Sequence, residues 1–518
     1  MSKQMNRRQF LSTMGGLAAA PFIPGLLRQQ RRPNVLFMLM DDMTYRAIES
    51  LNNPEVHTPN LNRLCQRGTS FTHAFNQGGW SAAVCVPARS MLVSGLNVWH
   101  AHKAHNEYKN IPLWGETFAQ HGYETFFAGK WHLGEPSAIR SAQHIGPHSK
   151  DFGRGMLLSS GNQYFRPHDP AKKDILPEMP YVVNNLKESW KKHPNRPWNS
   201  DDQSLSGHWL KSNKNLDREW AAKHCPDARH SSDIWTQAAI EFLNNPPGGG
   251  KKPWFMHLAY FSPHDPRQSP KDFLNRYNAD QLEVPPNFMS EFPFDQGDHR
   301  IRDEVLAPFP RSSADVQFHR REYYALITYI DHHIGRIMDT LDQNGMSDET
   351  IIIFTSDHGL AVGQHGLMGK QNLFDHSTRV PLIMAGPGIP AGHKVDHMVY
   401  HGGLFPTTCD LVDLPIPKTV EKESFADLAS GQSRNGAQKP IYGAYINYQR
   451  SVRTKQHKLI EYRVNGEKHT QLFDLQENPL EINAQNLADE SSYAGLIKDL
   501  RKQLHSLQKQ FDDPMDAV

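Results

Sequence analysis

Cysteine is scarce: four residues in a chain of 518 exclude a disulfide-stapled scaffold. Charge of one sign is missing as well. Lys and Arg number 56 against 55 Asp and Glu, a formal net charge of +1, which excludes a nucleic-acid binder working through a broad basic surface. Beyond the N-terminus no run approaches the roughly 20 apolar residues that span a bilayer, so no stable membrane insertion is expected. Internal repeats and low-complexity tracts are absent too. What the chain has in abundance is histidine, 29 residues, and that points to ionisable polar chemistry rather than thiolate metal centres. Hydrophobic residues at 38% and charged residues at 21% are those of an ordinary globular protein. The length suits about three domains, or one large α/β domain with a smaller appendage.

Residues 1–28 are set aside from the fold. They open MSKQMNRRQFLSTMGGLAAAPFIPGLL, with Arg7-Arg8, then Phe10-Leu11 and a mildly apolar stretch. This resembles a bacterial twin-arginine export signal, which implies the twin-arginine machinery as a partner and a periplasmic or secreted location. Ala18, Ala19 and Ala20 offer a cleavage site, although Pro21 disfavours it; the alternative is a short N-terminal anchor.

From 29 to 415, apolar runs alternate with helical patterns, which predicts an α/β fold built on a large, mostly parallel mixed sheet flanked by helices. Residues 34–40 form a near-continuous apolar run, as expected of a strand buried on both faces; 123–128, 254–260 and 350–355 read the same way. Ile327, Ile330, Ile334, Ile337 and Leu341 share one face of a helix ended by Gly345. The stretch 135–235, rich in Pro, His, Asn and Lys, reads as long surface loops. Pro415 and Pro417 then open a linker into a smaller α+β domain, 416–518. Its strands are expected near 440–448, 451–454, 458–464 and 471–475, with Asn465-Gly466 as a hairpin turn and an amphipathic helix over 494–507.

The chemistry-bearing residues fall at strand ends, where open α/β sheets place ligands. Asp41-Asp42 follows the first strand, and Ser356-Asp357-His358 follows the late one. Adjacent carboxylates repel, so packing them there needs a cation or hydrogen bonds to offset the cost. Asp41, Asp42, Asp357 and His358 together would suit a hard divalent cation. SAAVCVPARSM at 81–91 opens a helix, with Pro87 in its first turn and Arg89 one turn beyond Cys85. Lys130 and His132 follow the 123–128 strand, His264 follows the 254–260 strand, and Lys370 lies before Arg379-Val380-Pro381. A metal ringed by cations is the electrostatics wanted by a tetrahedral oxyanion.

These motifs resemble those of type I sulfatases, a branch of the alkaline-phosphatase superfamily. CVPAR at 85–89 is similar to the C-x-P-x-R signature whose cysteine becomes formylglycine, and GKWHLG at 129–134 to the second signature. TSDHG at 355–359, GKQNLFDHSTRVPLI at 369–383, VRTKQHKLI at 452–460 and LFDLQENPLE at 472–481 resemble further blocks in order. The likeness spans nearly the whole mature chain except 135–235 and 265–310. It implies that Asp41, Asp42, Asp357, His358 and modified Cys85 hold one Ca2+, with Mg2+ or Mn2+ as alternatives. His358 stands where many relatives have Asn. Arg89 and Lys130 would hold the formylglycine, His132 would act on its second hydroxyl, and His264 and Lys370 would bind sulfate and assist the leaving oxygen. The maturation partner implied is a formylglycine-generating enzyme.

The resemblance implies hydrolysis of sulfate esters, with sulfated carbohydrate as the expected substrate. The alternatives are phosphodiester or phosphonate monoester hydrolysis on the same scaffold, or a non-enzymatic glycan binder. Trp80, His100, His102, His105, Asn106, Asn162, Gln163 and His376 are sugar-compatible loop residues. With Cys85 converted, Cys65, Cys225 and Cys409 remain, and no essential disulfide is expected.

Overall fold

The computed structural model describes residues 32–148 and 222–515, apart from 106, 225–226, 228–229, 266, 299–300 and 434–437. The expected export segment lies outside the described residues. In chain order the strands are β1 (Asn34–Asp41), β2 (Gly68–Phe75), β3 (Gly78–Gly79), β4 (Glu124–Gly129), β5 (His144–His148), β6 (Trp254–Pro263) and β7 (Thr350–Ser356). They continue with β8 (Arg379–Ala385), β9 (His393–Val395), β10 (Val399–Tyr400), β11 (Ile441–Tyr445), β12 (Gln449–Arg453), β13 (His457–Val464) and β14 (Glu467–Asp474).

Nine strands make the main sheet, in the order β10-β2-β8-β7-β1-β6-β4-β5 with β9 also on β2. β8 runs against β7 and β2, and the other pairings are parallel. β1 is central: Met38 faces Leu258 on one side and Phe354 on the other. Its apolar run is explained by burial of both faces. Leu36, Met38 and Met40 pack into one core with Ile234, Trp235, Ile330 and Ile334. Val35, Phe37 and Leu39 pack into the opposite core with Trp114, Phe118 and Phe405.

The helix expected around Ile327–Leu341 is longer, Ser313–Gln343. A capping box between Ser312 and Asp315 sets its start, ahead of the point where an apolar stripe becomes readable. The expectation of loops throughout 135–235 is corrected where the residues are described. Glu135–Ser141 is a helix, β5 adds an edge strand, and the helix Ser231–Asn244 begins there. Gly146 and Pro147 hide β5 in the sequence, but a sheet edge tolerates proline.

The C-terminal region carries a second sheet, ordered β14-β13-β12-β11-β3, antiparallel except where β3 joins. Val464 pairs with Glu467 across Asn465-Gly466, whose φ values of 51° and 85° suit that dipeptide. The helix Ala494–Gln510 covers one face through Ile497, Leu500 and Leu504. On the other face Ile460, Tyr462 and Phe473 pack on Leu367, Leu373 and Phe374. The small sheet therefore backs the loop between β7 and β8, which carries Lys370. Among the described residues, no helix is long and apolar enough to cross a membrane.

Candidate active site

The main sheet delivers four chain segments to one edge. Asp41 is the last residue of β1, and Asp42 turns the chain at φ 72°, a left-handed conformation that Asp tolerates better than most residues. Asp357 follows β7, and its N–H donates to the Met40 carbonyl at 3.1 Å. The Met43 N–H donates to Ser356 Oγ at 2.9 Å, and Tyr323 of the long helix donates its hydroxyl to the Asp42 carbonyl at 2.6 Å. Two remote dipeptides are thus stitched side by side.

Cations close the site. Arg89 donates through Nε to Asp357 Oδ2 at 2.9 Å and through Nη2 to Asp41 Oδ2 at 3.3 Å. Lys130 pairs with Asp41 and lies 3.6 Å from Cys85 Sγ. Lys370 donates to Asp42 Oδ1 at 2.6 Å. His264 Nε2 lies 3.8 Å from Asp42 Oδ2, and its Nδ1 donates to the Asp265 carbonyl at 2.7 Å. The Asp265 bond leaves Nε2 as the position that gains and loses a proton. His132 contacts the Cys85 side chain. Cys85 itself opens the helix Cys85–Ser94, where the positive end of the helix dipole favours a developing anion.

The electrostatics follow from burial against charge. Burial raises the Cys85 thiol, but Lys130 and His132 outweigh it and hold the group well below the ordinary thiol value. Burial pushes the Asp42 carboxyl up to about 7, against the pull of Lys370 and His358. His264 is driven well below its ordinary value by burial and then by Lys370. Burial disfavours charge on His358 too, yet Asp357 and Asp42 lift it to about 9.

Could these residues hold a metal? Ligand atoms of Asp41, Cys85, Asp357 and His358 lie within 4.8 Å of one another, as do those of Asp41, Asp42 and His264. Asp41 Oδ1 and Asp42 Oδ2 are buried without hydrogen-bond partners, a costly state for carboxylates unless a cation faces them. His358 Nδ1 donates to the Gly359 carbonyl at 3.1 Å, which turns Nε2 toward Asp41 and Asp357. Carboxylate oxygens with one imidazole fit a hard divalent cation.

All ten residues singled out in the sequence for catalysis or metal binding therefore meet at this edge. Residues not singled out hold them there. Glu304 accepts the Met368 and Gly369 N–H groups, each at 2.8 Å, and Asp303 accepts from Gln371 Nε2 at 2.8 Å. Asn76 donates to the Asp357 and Ser377 carbonyls. The only sequence signal for Asp303-Glu304 is an acidic pair in a stretch without periodicity. Among the sugar-compatible candidates, Trp80 stacks on His102 with ring centres 4.9 Å apart, and His105 lies 6.2 Å from His102. His100 is held by Glu421 and Asp512. His376 is corrected from a loop contact to a buried residue stacked on Phe374, with the His365 ring tilted against it at 5.4 Å. Asn106, Asn162 and Gln163 lie outside the described residues. Cys65, Cys85 and Cys409 are buried and unpaired; Cys225 is not described.

Comparison with known proteins agrees with this geometry. Residues 33–414 match the sulfatase family, and 363–510 match the C-terminal region of N-sulphoglucosamine sulphohydrolase. A choline-sulfatase of Rhizobium meliloti is 24% identical over 473 residues, covering 88% of this chain and 83% of its own. An N-acetylglucosamine-6-O-sulfatase of Bacteroides thetaiotaomicron is 25% identical over 548 residues, covering 98% and 92%. A structure solved in complex with its substrate D-glucosamine-2-N,6-O-disulfate superposes with a TM-score of 0.66 at 20% identity, over 94% of this chain and 99% of that one. A phosphonate monoester hydrolase of Agrobacterium radiobacter gives 0.66 at 19% identity, over 93% and 96%. With the C-x-P-x-R motif, carboxylate cluster and mixed sheet in place, the chain belongs to the sulfatase family of the alkaline-phosphatase superfamily, the sulfuric ester hydrolases.

Proposed function

We propose that this chain removes sulfate from sulfated carbohydrates, using a formylglycine made from Cys85 and one divalent cation, with Ca2+ as the ion. One observation carries the reading. Cys85 Sγ lies beside Lys130 within a buried cluster that includes Asp41, Asp357 and His358. The modified side chain supplies a hydrated aldehyde, with one hydroxyl to attack sulfur and a second that lets sulfate be expelled afterwards. A cation held by Asp41, Asp42, Asp357, His358 and residue 85 supplies Lewis-acid activation of that hydroxyl.

The remaining work falls to the chain's own side chains. Arg89 fixes Asp357 and Asp41, so the carboxylates cannot splay apart. Lys130 and Lys370 set positive charge where the sulfate oxygens gather charge in the transition state. His264 at rest is neutral, since burial and Lys370 oppose its protonation. An incoming sulfate adds the opposite charge, and Nε2 can then carry the proton that the departing alcohol oxygen takes. His132, in contact with residue 85, takes the second hydroxyl's proton. These residues all fall within 29–415; to 416–518 we assign the support of the Lys370 loop. Twin-arginine export of a folded protein would allow Cys85 to be modified in the cytoplasm by a formylglycine-generating enzyme before release to the periplasm or medium.

Free sulfate measured after incubation with a panel of sulfated oligosaccharides tests the proposal, alongside the intact mass of the peptide containing Cys85. Sulfate release with the mass of the aldehyde is expected. Turnover of a phenyl phosphonate monoester in preference to 4-nitrophenyl sulfate would favour the phosphorus-ester reading, and glycan binding with an intact thiol would favour a binding protein.

A further inference from the structure

Two acids share the neighbourhood of one lysine. Lys370 Nζ donates to Asp42 Oδ1 at 2.6 Å and lies 3.8 Å from Asp303 Oδ2. The three side chains are at most 2% exposed, so solvent and salt screen the attraction of either acid very little. Burial opposes the charge on Lys370, and Asp42, Asp303 and Cys85 outweigh it. Whether the ammonium stays on Asp42 depends on what else Asp303 holds.

Asp303 Oδ2 holds an amide. Gln371 Nε2 donates to it at 2.8 Å and to the Ala82 carbonyl at 2.9 Å, while Gln371 Oε1 accepts the Lys370 backbone N–H at 3.0 Å. A carboxylate and a carbonyl only accept and a backbone N–H only donates, so a single placement of the amide nitrogen and oxygen satisfies all three. A carboxylate or a thioether at this position could not do so. The residue is 1% exposed. Its own carbonyl accepts from Gln449 Nε2 at 3.4 Å, and Gln449, on β12, also donates to the Gln296 carbonyl at 2.9 Å. Ala82 belongs to the segment that enters the Cys85–Ser94 helix, and Val84 of that segment packs in one core with Leu373. One amide therefore joins the approach to Cys85, the Lys370 backbone and the acid that competes for the Lys370 ammonium.

We infer that Gln371 is a positioning residue: by occupying Asp303 Oδ2 and holding Ala82, it keeps the Lys370 ammonium on Asp42 and sets its place relative to residue 85. This rests on the reading of Lys370 as a cation that meets the charge on sulfate. Without the amide, Asp303 loses a donor and turns to Lys370, which draws positive charge away from where the transition state needs it.

Gln371→Met keeps the length of the side chain and removes the amide; Gln371→Asn keeps an amide on a shorter stem. Both are compared with wild type, with Asp303→Asn and with the double variant Gln371→Met/Asp303→Asn, on the best substrate of the sulfated panel. Each rate is divided by the fraction of residue 85 that mass spectrometry finds as aldehyde. Gln371→Met is expected to lower kcat about thirtyfold with KM within about threefold, and Gln371→Asn to regain part of the rate. The double variant should be about fivefold faster than Gln371→Met, because the charge that competes for Lys370 is gone. A merely structural amide gives the opposite result, since the second substitution removes further hydrogen bonds. The inference is overturned by a Gln371→Met kcat within about twofold of wild type, by a double variant slower than Gln371→Met, or by Gln371 variants that all fail to fold in circular dichroism. Wild type that carries the aldehyde and releases no sulfate from any panel member is a separate result: it sinks the sulfate reading, and this inference with it.

Discussion

Two of the buried charge clusters among the described residues differ in one respect. At the edge of the main sheet, Asp41, Asp42 and Asp357 face Arg89, Lys130 and Lys370. Where the two sheets meet, Asp375 and Glu481 face Arg379, Arg453 and Lys458. In the second cluster cations from β8, β12 and β13 reach both oxygens of Asp375, and Lys458 Nζ lies 2.6 Å from Glu481 Oε1. The first leaves Asp41 Oδ1 and Asp42 Oδ2 without partners. A cluster whose oxygens are all paired fixes geometry, whereas one with unpaired carboxylate oxygens keeps acceptors that a cation could take. Burial and charge alone do not mark a functional site; unused lone pairs do.

The sharpest way to break this comparison is to remove one group from each cluster. Cys85→Ala is expected to lower sulfate release about a thousandfold or more while shifting thermal unfolding little, as rate and melting scans would show. Asp375→Asn should behave in the opposite way. It takes the carboxylate from Arg453 and leaves Lys458 with Glu481 alone, and breaking a buried pair costs about 3–5 kcal/mol, read as a lowered denaturation midpoint. Its pH dependence has a definite sign. Burial raises the Asp375 carboxyl, but Arg453, Lys458 and Arg379 outweigh it and hold it well below the ordinary value of 3.8. The pair's stabilisation is then full above pH 4 or so and fades as pH falls through the folded value. Acid unfolding of the wild type should be steeper below that point than that of Asp375→Asn.

Chelation sharpens the comparison with a smaller effect. EDTA should abolish activity and lower the melting temperature, with restoration by Ca2+. The stabilisation lost is about 2.7 kcal/mol if the ion had been present at 100 times its dissociation constant. The same shift is expected on Asp375→Asn, because the seam cluster offers no site for the ion, and no shift on Asp41→Asn. A calcium effect that Asp375→Asn removes and Asp41→Asn keeps would reverse the assignment of the two clusters.

Much of the candidate catalytic edge could be read in advance because of how parallel strands are buried. A strand covered on both faces reads as an unbroken apolar run, so its end is conspicuous, and Asp41-Asp42 and Asp357-His358 stand at such ends. Cys85 was legible through Pro87 and Arg89, which mark a helix start and one turn beyond it. The Arg302-Asp303-Glu304 stretch was not. It runs from irregular chain into a short turn of 3-10 helix, Glu304–Leu306, and takes its meaning from contacts made 64 to 68 residues later. β5 escaped notice because an edge strand with Gly146 and Pro147 has neither alternation nor an apolar run. His376, in the middle of a polar motif, looked like a loop residue, and only packing against Phe374 and His365 shows it to be interior.

By itself the sequence determined the strand ends, the C-x-P-x-R motif, the family and the need for cations around a carboxylate cluster, because each is written in consecutive residues. Which lone pairs stay open and which acidic pair steadies Lys370 were decided by the tertiary structure alone. Those properties depend on groups hundreds of residues apart coming within hydrogen-bond distance, and short-range forces act on distance in space rather than distance along the chain.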